Sequence, residues 1–230
     1  MAVRNGHSAE LVELLLQRGA DPNAPGRDGR TTHRLAVRQG RADLARALRR
    51  GGARAEVTDE TEVDLFLAAC LQNDRVAAEG ALRRGWVRID RLTDEDRAAI
   101  VHAADHGNLD AVRLMLELGF PIDSRGDDGT TPLHAAASAG SADVVQLLIH
   151  RGADIHARDT TFGGTPVVWA SVGSGMRLGR CPNPDWVATI QLLINAGASI
   201  EDAWLTGAKT PSRDVAELLR AHGVSEPHSA

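Results

Sequence analysis

The chain has 230 residues, a formal net charge of −5, 43% hydrophobic and 25% charged residues, and 3% aromatics with no tyrosine. This is an ordinary globular composition whose core must be built from Leu, Ala, Val and Ile, and its acidic balance argues against a general nucleic-acid binder. No apolar run approaches the roughly 18 residues of a membrane helix, and two distant cysteines, Cys70 and Cys181, match no metal spacing and suit a reduced, cytoplasmic compartment.

One phrase recurs along the chain. "RGADPN" at Arg18–Asn23 returns as "RGADIH" at Arg151–His156 and "AGASIE" at Ala196–Glu201, with looser copies between. The glycines that mark it, Gly19, Gly52, Gly85, Gly119, Gly152, Gly197 and Gly223, are separated by 33, 33, 34, 33, 45 and 26 residues. Each follows an aliphatic segment such as "LVELLL" (Leu11–Leu16), the pattern of a helix ended by a residue free to take positive φ. The spacing divides residues 1–224 into a single array.

In chain order, residues 1–24 read as a truncated first repeat. "AVRNGH" (Ala2–His7) aligns with "AVRQGR" (Ala36–Arg41), so Met1 falls inside a helix. The unit 25–57 keeps "GRTTHRLAVRQG" (Gly29–Gly40). The unit 58–91 places Asn73 where other units have a turn glycine. Weak helix caps and Gly80 inside a helix make it the expected soft point. The unit 92–124 keeps Ala103, Ala104 and Gly107. The unit 125–157 is the fullest, "GDDGTTPLHAAASAGSADVVQLLIHRGAD" over Gly126–Asp154. There Gly129 closes a turn, Thr131 caps a helix with Pro132 at its first position, Gly140 ends it, and Ser141 caps the next. The unit 158–201 begins "GTPVVWA" (Gly164–Ala170). It is then interrupted by a stretch with no helical period, read as an insertion loop at 172–182, before Asn183 and Pro184 start its second helix. A closing helix with a polar side occupies 202–224, and 225–230 is expected to be a disordered tail.

The fifth unit resembles the ankyrin repeat, whose pattern contains G-x-T-P-L-H-x-A-A-x-x-G followed by L-L-x-x-G-A-D. The matching residues are Gly129, Thr131, Pro132, Leu133, His134, Ala136, Ala137, Gly140, Leu147, Leu148, Gly152, Ala153 and Asp154. The resemblance implies an all-α solenoid of six to seven stacked helix-turn-helix units joined by hairpin-like turns. It implies that His134 hydrogen-bonds between neighbouring repeats, and that a concave groove of turns and first helices receives a protein partner. The expected molecule is therefore a monomeric, non-enzymatic scaffold for protein–protein interaction, with no cofactor, no nucleic acid and no membrane as partner.

Aligned on that groove, the second unit offers Arg27, Arg30, Arg34 and Arg38, the fourth Asp94, Glu95 and Arg97, and the fifth Asp127, Asp128, Thr130 and Ser138. The groove would run from basic to acidic along the array, a field able to orient a partner. Trp169 is placed to be a recognition anchor or to lie under the insertion. The insertion would add Met176, Arg177, Arg180 and Trp186 to the binding surface. The alternative is an enzyme or small-ligand site at the insertion, 172–185, around Cys181 and Asp185. Neither Ser174, Cys181 nor Cys70 has a sequence partner that marks a catalytic triad, and "GSG" (Gly173–Gly175) follows no strand. His102 and His106 have the i, i+4 spacing of a metal pair but lack a third ligand, so no metal site is expected.

Overall fold

The computed structural model describes residues 9–25, 31–54, 61–176, 180–200 and 211–224. The regular structure among them is helical, with one isolated antiparallel bridge between Pro25 and Thr31. Two compact units divide the chain, Met1–Arg91 and Leu92–Ala230.

The first unit holds α1 (Ala9–Gln17), α2 (Thr32–Arg38), α3 (Ala42–Arg50), α4 (Glu62–Leu71) and α5 (Arg75–Arg83). Helix α2 packs on α3 and α4, α1 on α3, and α4 on α5. Val12, Ala36, Leu44 and Leu48 form a buried cluster here.

The second unit holds α6 (Asp94–Arg97), α7 (Ala99–Asp105), α8 (Leu109–Glu117), α9 (Pro132–Ala139), α10 (Ala142–His150), α11 (Pro166–Met176), α12 (Trp186–Asn195) and α13 (Arg213–Ala221). Its first helices stack in one row, α7 on α9 on α11. Its second helices stack in another, α8 on α10 on α12 on α13. Small side chains make the first row possible: every residue of α9, "PLHAAASA", is buried between its neighbours. The second row contributes aliphatic faces such as Val144, Val145 and Leu148 of α10.

A threonine starts the first helix in successive repeats, because a hydroxyl in extended backbone can satisfy an otherwise orphan N–H. Thr31, Thr61, Thr93 and Thr131 accept from the backbone N–H three residues on. The unit expected to be weakly capped is not. Thr61 and Asp64 form a reciprocal capping box on α4, and Asp74 caps α5 through the Ala77 N–H at 3.0 Å. Asn73 does take the left-handed turn, at φ 55°.

Three other local expectations are corrected. Ser141 precedes α10 but makes no side-chain cap; its hydroxyl lies against the Gly107 turn instead. The cap of α12 is Asp185, which accepts from the Ala188 N–H at 2.9 Å, rather than Asn183. Pro184 packs against Gly140. Finally, the insertion does not begin at Val172, because α11 runs on through Val172–Met176. Where α9 stops at Gly140 with φ 70°, the aligned residue in α11 is Ser174. A serine does not favour the left-handed stop, and the helix continues past it to Met176, with the Ser174 hydroxyl donating to the Ser171 carbonyl at 2.7 Å. Gly173 lets that extension approach α9: a Cβ there would stand 2.1 Å from the Ser138 carbonyl oxygen.

Candidate functional site

The turns that precede the first helices build an open cleft in the second unit. Gly129, at φ 75°, closes the 126–130 turn, with the Gly126 N–H donating to the Thr130 carbonyl at 2.9 Å. Asp128 accepts from the Thr130 N–H and hydroxyl at 3.2 and 2.6 Å. The next turn locks onto this one, since Thr160 donates its N–H and its hydroxyl to the Asp128 carbonyl at 3.0 and 2.8 Å. The two turns lie so close that a Cβ on Gly129 would stand 2.6 Å from the Thr160 side chain. Arg125 spans both, donating to the carbonyls of Gly129 and Arg158 at 2.7 and 2.8 Å. Asp123 accepts the Asp154 N–H at 3.2 Å, a further bond from one repeat to the next. The resulting cleft, about 560 Å³, is lined by Asp94, Arg97, Pro121, Asp123, Arg125, Asp127 and Thr160 among others.

Three of the residues expected in the groove, Asp94, Arg97 and Asp127, therefore converge on one cleft. Asp94 accepts from Arg97 at 3.2 Å with its side chain 95% exposed. Glu95, Asp127 and Asp128 are exposed nearby in sequence, whereas Thr130 and Ser138 are buried and present no polar group to a partner. Arg27, Arg30 and Arg177 lie outside the described residues.

The basic stretch of the second unit is corrected most. Arg34 and Arg38 do not form a free basic face. They converge on the fully buried Asp64 at 2.8 and 3.3 Å, from one repeat to the next. Burial would push the Asp64 carboxyl up, but the Thr61 backbone and hydroxyl donors and the two guanidiniums hold it below its usual value. The ion pair was invisible in the sequence because its members are 30 and 26 residues apart.

The position three residues after the capping threonine links neighbouring repeats at Asp64 and at His134. In the fifth unit it is His134, whose Nδ1 accepts the Thr131 N–H at 3.1 Å and whose Nε2 donates to the Gly164 carbonyl of the next repeat at 3.0 Å. Burial lowers its pKa, with the Gly164 carbonyl opposing that shift. Asp64 and Asp96 fill the same place with a carboxylate that accepts the Thr61 and Thr93 N–H groups, both at 3.0 Å. The signal for the aspartates was in the sequence as T-x-x-D, and the inter-repeat reach was not.

Trp169 lies beside the 159–164 turn, half-buried, with its indole N–H donated to Asp159 at 2.9 Å. The remaining insertion residues act on the fold. The Arg180 N–H donates to the Asp105 carbonyl at 3.0 Å and its guanidinium to the Asp105 carboxylate at 2.7 Å, across 75 residues. Cys181 sits against Gly107, where an added Cβ would lie 2.9 Å from its sulfur. The Asp185 N–H donates to the Gly140 carbonyl at 2.8 Å, and the Trp186 indole N–H to the Ser138 carbonyl at 2.9 Å, with its rings over Gly140. Residues 180–186 thus form a strap from the sixth repeat over the fifth to the fourth. Arg180 and Trp186 are bound within it, and Met176 remains exposed. For the alternative reading at this loop, the Asp185 carboxylate is occupied as a helix cap and the Ser174 hydroxyl bonds Ser171 and the Ser212 N–H. Burial raises the Cys70 thiol to about 12, too high to supply a thiolate nucleophile at neutral pH. The rings of His102 and His106 meet at a tilt of 53° with centroids 4.3 Å apart, and His106 Nδ1 bonds the His102 carbonyl. Among the described residues no group of three His, Cys, Asp or Glu converges to hold a metal ion.

Comparison with known proteins agrees with this repeat geometry. Family models described as "Ankyrin repeats (3 copies)" and "Ankyrin repeat" match residues 65–159 and 1–27, together a little over half of the chain. The chain belongs to the ankyrin repeat family. The crystal structure of the human ASB11 ankyrin repeat domain is similar over 98% of this chain and 97% of that one, at 20% identity and a TM-score of 0.53, and shares the fold. A Caenorhabditis elegans protein named transient receptor potential cation channel subfamily A member 1 homolog is 31% identical over 121 residues. That stretch is 51% of this chain but 9% of the channel homolog, so the chain spans a small fraction of that relative. Among the described residues no helix is long and apolar enough to cross a membrane. Ankyrin repeats are in general modules for protein–protein interaction.

Proposed function

We propose that this chain is a non-enzymatic scaffold that binds a protein partner through the cleft formed by the turns of its second unit. The observation that carries the reading is the convergence of Asp94, Arg97, Asp123 and Asp127 on one open cleft whose walls are fixed by turn-to-turn hydrogen bonds. A surface so held loses little conformational freedom when a partner docks. The polar groups of the strap are consumed in the fold, which favours this surface over a site at residues 172–185.

Site-specific photo-crosslinking tests it. A photoreactive residue at Asp127 should capture a discrete partner in cells, whereas the same residue at Gln146, on the exposed side of α10, should not. Capture from position 146 alone, or from neither position, would overturn the assignment to the cleft.

A further inference from the structure

Phe162 is 67% exposed, a large apolar side chain on the turn that adjoins the cleft. Its exposure is not that of a loose loop tip. The buried Asp159 carboxylate accepts the N–H groups of Thr161, Phe162 and Gly164 at 2.8, 2.7 and 2.7 Å, and the Trp169 indole N–H as well. Burial pushes this carboxyl up, but those donors together hold it below its usual value, so it stays ionised and keeps all four bonds at neutral pH. The turn therefore presents Phe162 on a rigid frame. Its ring stands 6.2 Å from that of Trp169, tilted by 57°, which makes the pair an aromatic platform. The same turn supplies Thr160 to the wall of the cleft.

Carboxylates outnumber cations beside this platform: Asp94, Asp123 and Asp127 line the cleft against Arg97 and Arg125, and Arg158, on the aromatic turn, donates to the Gly163 carbonyl at 2.7 Å. Residues 92–230 hold eighteen Asp or Glu against ten Lys or Arg. In the cleft, Arg97 is paired with Asp94 and Arg125 is committed to two backbone carbonyls. Asp127 is exposed at its edge. An aromatic surface flanked by carboxylates complements an apolar side chain next to a cation, and repels an acidic segment.

Resting on the reading of the cleft as the partner site, we propose that the partner inserts an extended segment in which an arginine or lysine neighbours a bulky apolar residue. The apolar residue docks on Phe162 and Trp169, and the cation docks at the Asp127 edge of the cleft. The direct probe is a panel of fluorescein-labelled twelve-residue peptides read by anisotropy against the full chain. One set combines Arg with a single Leu or Phe at scanned spacing, a second replaces Arg by Glu, and a third keeps Arg but has no apolar residue. The first set should bind best and weaken as salt rises. Phe162→Ala and Asp127→Arg should each weaken it at least tenfold while leaving the melting temperature unchanged. Equal or tighter binding of the acidic set, no binding by any set, or binding of the first set indifferent to Phe162→Ala would overturn the proposal. Failure here with productive crosslinking from position 127 would reject only this partner class. Failure of both would reject the cleft as the partner site.

Discussion

At the residue scale, two glycines inside helices carry opposite consequences. Gly80 is buried in α5, where an alanine Cβ would meet only the Arg84 guanidinium nitrogen, at an ordinary 3.4 Å. Gly80→Ala should raise stability by about 0.5–1 kcal/mol in urea unfolding, because the helix conformation is retained and the unfolded chain loses freedom. Gly173 faces the Ser138 carbonyl, so Gly173→Ala has to push α11 off α9 and should cost about 1–3 kcal/mol in the same assay. His134 makes stability depend on pH. Its Nδ1 accepts an N–H and its Nε2 donates to a carbonyl, so the fold requires the neutral ring with the proton on Nε2. Its folded pKa lies below the unfolded value of about 6.5. The unfolded chain therefore takes up the proton first. The stabilisation is complete above about pH 6.5 and is lost as the pH falls toward the folded value. The wild type should lose stability between pH 6.5 and 5 more steeply than His134→Asn, as measured by denaturant midpoints at each pH.

At the scale of elements, the strap changes how the second unit holds together. A solenoid of this kind is stabilised by contacts between adjacent repeats alone. Here Arg180 reaches Asp105 and Cys181 reaches Gly107, past the intervening repeat that Trp186 covers at Gly140. The Arg180–Asp105 pair is partly exposed and contributes at most about 1 kcal/mol. The indole contact contributes more, through area and a donated N–H. Arg180→Ala combined with Trp186→Ala should therefore speed amide exchange in α7 and α8, far away in sequence, as well as in α12. Acceleration confined to α12 would show that the strap transmits no stability to the fourth repeat. This device was half legible: an excess of residues between two helices was read from "ASVGSGMRLGRCPNPDW". Its start is not legible, because a stretch without helical period reads as a loop, whereas Gly173 is a close-packing residue within a helix.

At the scale of the whole molecule, stability should be uneven, because helices differ in burial and capping. Helix α9 is wholly buried and boxed by Thr131 and His134, and α10 packs behind it. In α5, Val76 is 78% exposed and Gly80 weakens the interior. Helix α4 is better founded than its sequence suggested, with a capping box and the buried run Phe66–Cys70. Hydrogen exchange should be slowest across Thr131–Ile149, intermediate in α4 and fastest in α5. Slower exchange in α5 than in α9 would reverse this ranking. Charge is also uneven: residues 1–91 carry sixteen arginines against thirteen Asp or Glu, while the acidic excess lies wholly beyond them.

The repeat and its helices are legible in the sequence because they rest on local chemistry, while the inter-repeat bond of His134 follows from the ankyrin resemblance. A 33-residue glycine period, small residues on one helix and a Thr-Pro cap each act within a few residues of where they are read. Apart from His134, what each side chain does between repeats is not legible there, because the partners lie 26 to 75 residues away. Only the tertiary structure decided that Arg34 and Arg38 neutralise Asp64 rather than face a partner, and that Arg180 and Trp186 bind back onto the array. It alone placed Phe162 on a frame made by Asp159, since a buried carboxylate gathering four donors leaves no periodic trace in a single chain.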